Sequence, residues 1–140
     1  MFRKRRTMIL IKGSSDVPAK LAQEIQDNHE IKTIEDSNNG LVMIKARERA
    51  KQSLFYLGEV LITECKVMIN GALGIGMVKG HQPELAYNLA IIDAAYKASL
   101  AETKAWAKIL LIEERRLNEQ SEAFKNKVLM TKVDFNTMDV

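Results

Sequence analysis

The chain has 140 residues, of which 46% are apolar, 28% charged and 6% aromatic, the proportions of one soluble globular domain spanning residues 1–140. A chain of this length buries about two-thirds of its unfolded surface, so its core needs neither disulfide nor metal. Cys65 is the only cysteine, which excludes a disulfide framework, a multi-cysteine zinc site and a protein-ligated iron–sulfur cluster, and fits a cytoplasmic chain.

Lys and Arg number 21 against 18 acidic residues, a net charge of +3 that permits an anionic partner without requiring one. Four of the cations are Arg3, Lys4, Arg5 and Arg6, within a basic N-terminal segment over residues 1–15. The apolar run Met8-Ile9-Leu10-Ile11 stops at Lys12, short of the roughly 7 to 15 apolar residues of an export signal. No other run is long enough to span a membrane.

In chain order, residues 3 to 12 read as a short basic helix ended by Gly13-Ser14-Ser15-Asp16, which also supplies caps for a second helix entered through Pro18. Leu21, Ala22 and Ile25 share one face of that second helix. Strand texture then follows at 31–34, 41–44, 54–57 and 60–69, giving three or four antiparallel strands, with Ser37-Asn38-Asn39-Gly40 as a hairpin turn. Gly58 and Asn70-Gly71 are further turn or bulge positions. Pro83 opens a helix whose Leu85, Leu89, Ile92 and Tyr96 repeat at helical spacing, and no glycine or proline follows it. Ser99-x-x-Glu102 has the form of a capping box, so a new helix begins there; Leu110, Leu117 and Phe124 recur every seven residues, a long helix lying against a partner. The fold class is α+β: short N-terminal helices, a mostly antiparallel sheet of three to five strands, and C-terminal helices packed on it.

The chemistry-bearing patterns are weak. Gly74-Ile-Gly76-Met-Val-Lys79-Gly80 suggests a nucleotide loop, but its glycines follow antiparallel strands, the next helix starts only at Pro83, and no Lys-Ser/Thr pair follows Gly80. A glycine strand that lets another backbone come close is the better reading, and a partner subunit is one candidate for that backbone. His29 and His81 lack metal-ligand spacing; His81 reads as a polar residue beside a helix cap, with a phosphate contact as the alternative. Glu59 and Glu64, five apart on a strand, point to opposite faces and cannot share acid–base work unless a bulge intervenes. Cys65 reads as a buried small apolar residue, and the scattered methionines as core or interface filler. The Arg3 to Arg6 run lacks interleaved aromatics and reads as a solvated helix face or tail.

Four stretches carry a resemblance. Leu57-Gly58-Glu59-Val60-Leu61-Ile62-Thr63-Glu64 is similar to the L-G-E-V-x-x-T-E segment of the PhnG family, the G subunit of the bacterial carbon–phosphorus lyase system. Gly40 to Arg47 fits upstream; Gly74, Gly76 and Gly80 with Ile92-Asp93-Ala94 resemble the family's glycine strand and I-D-A helix; Val133 to Met138 resembles its V-D-F-x-T-M tail. The resemblance covers residues 16 to 138, and the basic opening segment shows no family pattern. It implies an assisting subunit of a core complex with H, I and J subunits, in phosphonate catabolism. The step concerned is the transfer of ribose 5-triphosphate from ATP to a phosphonate with release of adenine. Carbon–phosphorus cleavage then falls to the J subunit, through an iron–sulfur cluster and S-adenosylmethionine. This chain is expected to bind no cofactor or metal alone, to carry no catalytic residue, and to touch neither membrane nor nucleic acid. The implied interface residues are Gly74, Gly76, Gly80 and Asp93, with Asp134, Phe135, Thr137 and Met138 in a docking tail over 133–140. The competing readings are a free-standing nucleotide-binding protein built on Gly74 to Gly80, and a nucleic-acid-binding protein using Arg3 to Arg6.

Overall fold

The computed structural model describes residues 2–47 and 54–138, with side-chain surroundings described for 2–45 and 57–131. Its elements run α1 (Arg3–Lys12), α2 (Asp16–Asn28), β1 (Lys32–Arg47), β2 (Leu54–Ile69), β3 (Ala72–Lys79), α3 (Pro83–Lys97) and α4 (Glu102–Met138). Helices, then a three-stranded antiparallel sheet in the order β1-β2-β3, then helices make the α+β fold that the residue pattern implies.

The sheet corrects the expected turn positions. Ser37 to Gly40 lie inside β1, not at a hairpin, and the segments read as separate strands at 31–34 and 41–44 form one. The polar run instead marks irregular pairing, with register shifts between Thr33 and Glu35 and between Glu35 and Asn38. A bulge frees backbone groups, and here side chains occupy them: the Asn38 amide donates to Asp36 O and Glu64 O, and Ser37 Oγ donates to Pro83 O. The link between β1 and β2, residues 48–53, lies outside the described residues. Gly58 does sit at a bulge, because Ile44 pairs with Gly58 while Lys45 pairs with Tyr56. Asn70 and Gly71 both take positive φ, 49° and 81°, in the two-residue turn that joins β2 to β3.

Alternation then decides what the sheet buries. Thr63, Cys65, Val67 and Ile69 of β2 are all fully buried beneath α3, whereas Glu64, Lys66 and Met68 are half-buried on the other side. On β3, Gly74 and Gly76 face the same helix. A side chain at Gly74 would meet Ala90 O and Ala94, and one at Gly76 would meet Ala86 O. Glycines in the strand and alanines at 86, 90 and 94 in the helix, four apart, thus let the two backbones nearly touch. Leu21, Ala22 and Ile25 of α2 close the core, as their shared face predicts.

The Ser99-x-x-Glu102 pattern is not a capping box. Ser99 has φ 54°, its N–H donates to Tyr96 O at 3.1 Å, and Leu100 N–H donates to Ala95 O at 3.1 Å. These are the paired bonds of a Schellman end for α3, with Leu100 tucked into the core, and α4 starts after it. Trp106 and Leu110 anchor α4 in the core, and Trp106 meets Tyr96 edge-on with ring centroids 5.7 Å apart. From Asn118 to Thr131 every residue is exposed, so about 20 Å of helix stands clear of the body.

A branched side chain at Gly76 has no route around the α3 backbone. Gly76→Val is expected to lower stability by about 3 kcal/mol, read as a lower urea midpoint at unchanged slope. Gly40→Ala, where the added methyl meets only Ile62 at 3.9 Å, should shift the midpoint little. Equal midpoints for the two variants would contradict the close packing.

Candidate functional site

The densest polar constellation is built on Asp93, which the third helix holds 4% exposed at the edge of β3. Its Oδ2 accepts the Ile75 N–H at 2.9 Å, an amide on the open side of the edge strand. Its Oδ1 accepts from Arg3 Nε at 3.0 Å and from Arg6 Nη2 at 3.1 Å, and Lys97 Nζ lies 3.2 Å from Oδ2. One carboxylate thereby joins α1, β3 and α3. Arg6, whose side chain is 7% exposed, also lies over the Tyr96 ring at 3.9 Å from its centroid. Burial pushes the Arg6 guanidinium down from its usual range despite Asp93, and pushes the Tyr96 phenol up.

The basic run is therefore a helix face exposed at Arg3, Lys4 and Arg5 but buried at Arg6, and most of it is tied down by ion pairs. Arg3 and Arg6 are paired to Asp93 and Arg5 is paired to Glu114 of α4, which leaves Lys4 as its member with no acidic partner among the described residues. Glu113 fixes the other end of α1. Its Oε1 accepts Ser14 N–H at 2.9 Å and it pairs with Arg116, while a side chain at Gly13 would collide with it.

A second polar group holds the junction before α3. Thr63, fully buried, donates its hydroxyl to Gly80 O at 2.6 Å and accepts Gln82 N–H at 2.9 Å, so a β2 side chain satisfies the backbone at the α3 entrance. Gly80 takes φ 82° there with open space around it. His81 Nδ1 donates to Asn39 Oδ1 at 3.0 Å, and His29 Nε2 pairs with Glu102 Oε1 at 3.0 Å, 73 residues away in sequence. Cys65 is buried with its thiol against Glu35 O, and burial raises its pKa. Glu59 and Glu64 fall on opposite faces, since the pairing register between them is unbroken. Among the described residues no group of three or more His, Cys, Asp or Glu side chains could hold a metal ion, and no helix is long and apolar enough to cross a membrane.

The sequence-derived interface residues thus separate. Gly74 and Gly76 receive this chain's own α3, Asp93 ties elements of the same chain, and Gly80 shapes the turn that Thr63 holds. Asp134, Phe135, Thr137 and Met138 lie in the last turns of α4, and their side chains lie outside the described residues. Sequence reasoning missed Thr63, Glu113 and Trp106, because their partners are distant along the chain and no local spacing announces them.

Large apolar surfaces remain uncovered. β3 pairs with β2 only from Ile69 back to Ile62, so residues 41–47 and 54–61 extend past it as a two-stranded ribbon. Leu41, Met43 and Leu57 of that ribbon are exposed, Leu41 by 64%. An isolated two-stranded ribbon is marginal in water, and this one carries apolar residues where a solvated strand carries polar ones. The free length of α4 bears Phe124, Val128 and Leu129 around a shallow apolar groove, with Phe124 68% exposed. A larger groove of about 940 Å³ runs between α1 and the outer side of β2 and β3. Contiguous uncovered apolar surface of this kind marks interaction sites.

A family model described as "Phosphonate metabolism protein PhnG" matches residues 1–139, including the basic opening segment. No curated protein matches this sequence.

The Glu113 carboxyl is held below its ordinary value of 4.5, first by Arg116 and then by Ser14 N–H. A lowered folded-state value contributes stability that is present above pH 4.5 and lost as pH falls through the lowered value. Urea midpoints of the wild type should therefore fall on acidification below about pH 4.5, and Glu113→Gln should show a shallower fall. Parallel curves would remove Glu113 from the acid response.

Proposed function

Because the chain belongs to the PhnG family, whose role lies in phosphonate metabolism, we propose that it is an assisting, non-catalytic subunit of the carbon–phosphorus lyase core complex. Its partners are the H, I and J subunits. It supports the step in which the ribose 5-triphosphate of ATP is transferred to a phosphonate and adenine leaves. The observation that carries this reading is the amount of regular structure left without cover: the ribbon at Leu41 to Ile44 and Leu57, and α4 from Asn118 to Thr131. A free-standing enzyme gains nothing from either, whereas a subunit buries both.

The internal chemistry supports the same division of labour. The clusters around Asp93, Thr63 and Glu113 each tie one element of this chain to another, and their hydrogen bonds are taken up within the fold. ATP and the J subunit's iron–sulfur cluster and S-adenosylmethionine belong to the rest of the assembly. The end of α4, where Phe135 and Met138 follow the exposed Phe124 and Val128 along the same free helix, is the docking tail.

Tagged full-length chain, isolated from cells using a phosphonate as sole phosphorus source, should co-purify the H, I and J subunits in stoichiometric amounts. Removal of residues 133–140 should reduce that recovery at least tenfold. A wild-type chain recovered alone would overturn the subunit reading, and unchanged recovery by the truncated chain would overturn the role of the tail.

A further inference from the structure

The groove between α1 and the outer side of the sheet has a composition that the fold itself does not explain. Its floor is apolar, formed by Ile75 and Met77 of β3 and Leu89 of α3, and α1 adds Met8 and Ile11 as one wall. Leu89 belongs to the core, but the others do not: α1 buries Ile9 and Leu10 on its other side, while Met8, Ile11 and Met77 are exposed. The helix is thus apolar on two sides, and only one side is used.

The rim is basic. Arg3, Lys4, Lys12 and Lys66 line the groove against two acids, Glu64 and Asp93. Arg3 pairs with Asp93, and Lys66 pairs with Glu64 and Glu35, so these cations are neutralised within the chain. Lys4 and Lys12 are exposed and have no acidic partner among the described residues. They lie eight residues apart on α1, about 12 Å along the helix axis, on the same side as Met8 and Ile11. Two unneutralised cations therefore flank an apolar trough.

From this arrangement we infer that the groove is the seat of an acidic amphipathic segment of a partner chain. Its apolar side rests on Met8, Ile11, Ile75 and Met77, and its carboxylates pair with Lys4 and Lys12. The inference rests on the subunit reading above and adds to it a location and a chemistry. Apolar burial supplies the affinity, and the lysines set register and make association salt-dependent.

The test is reconstitution from purified full-length chains, with association of this subunit to the other three measured between 50 and 500 mM salt. Lys4→Glu/Lys12→Glu should weaken association at least tenfold at low salt and reduce its salt dependence, with an unchanged circular dichroism spectrum. Met77→Asp should weaken it at all salt concentrations, and Lys20→Glu, an exposed change on α2, should leave it unaltered. Wild-type association with both groove variants unimpaired would overturn the inference and leave the subunit reading standing. Failure of the wild type to associate would overturn both. Self-association of the wild type alone that the double charge reversal abolishes would assign the groove to a second copy and overturn the partner segment.

Discussion

The structure depends on one carboxylate. Asp93 accepts an edge-strand amide and three cations, and so sets where α1 lies relative to β3 and α3. Without it, Arg6 would be a buried guanidinium with no counter-charge, which costs about 3–5 kcal/mol, and the Ile75 amide would lose its acceptor. The carboxylate also closes a vulnerable edge: the same Ile75 offers its N–H to Asp93 and its carbonyl to Arg3, which occupies backbone groups that could otherwise recruit a foreign strand. Packing follows from there. Asp93 sits one residue before Ala94, the methyl against Gly74, so the ionic clamp and the glycine–alanine seam hold the same turn of α3 to the same strand.

Around that fixed centre the architecture is half covered. A sheet buries one face against helices, and an antiparallel sheet that shows its second face to water carries polar residues there. Here the second face carries Ile62, Met68, Leu73, Ile75 and Met77, and the hairpin runs on beyond the end of β3. The free end of α4 repeats the theme with Phe124, Val128 and Leu129. The chain is thus closed where it meets itself and bare elsewhere, and the groove on this face reaches the clamp at Arg3, Ile75 and Asp93. That organisation supports the subunit reading proposed for this member of a phosphonate metabolism family.

Much of this was legible in the sequence, for local reasons. Pro83, Asn70-Gly71 and Gly58 impose backbone geometry on their own, and each lies at the helix start, turn or bulge that it implies. Leu21, Ala22 and Ile25 show their helical face by spacing alone. The misreadings have one cause. Ser37-Asn38-Asn39-Gly40 is equally good chemistry for a turn and for a bulged strand, and Ser99-x-x-Glu102 for a helix start and a helix end. The deciding partners, Glu64 and Pro83 in one case and Ala95 in the other, are supplied by the fold. The ion pairing of the basic run is hidden in the same way, because Asp93 lies some 90 residues beyond it. Gly74 and Gly76 did announce a close approach, but spacing could not say whose backbone approaches.

Hydrogen–deuterium exchange, compared between the chain alone and the chain in its assembly, tests the central claim most directly. Slow exchange is expected over Thr63–Ile69 in both states, since that stretch pairs with β3 throughout and with β1 over most of its length, beneath α3. Residues 54–61 and 118–131 should exchange quickly in the free chain and slow at least tenfold on assembly. Equal and strong protection of those segments in the isolated chain would contradict the account, because surfaces already closed in the monomer need no partner to cover them.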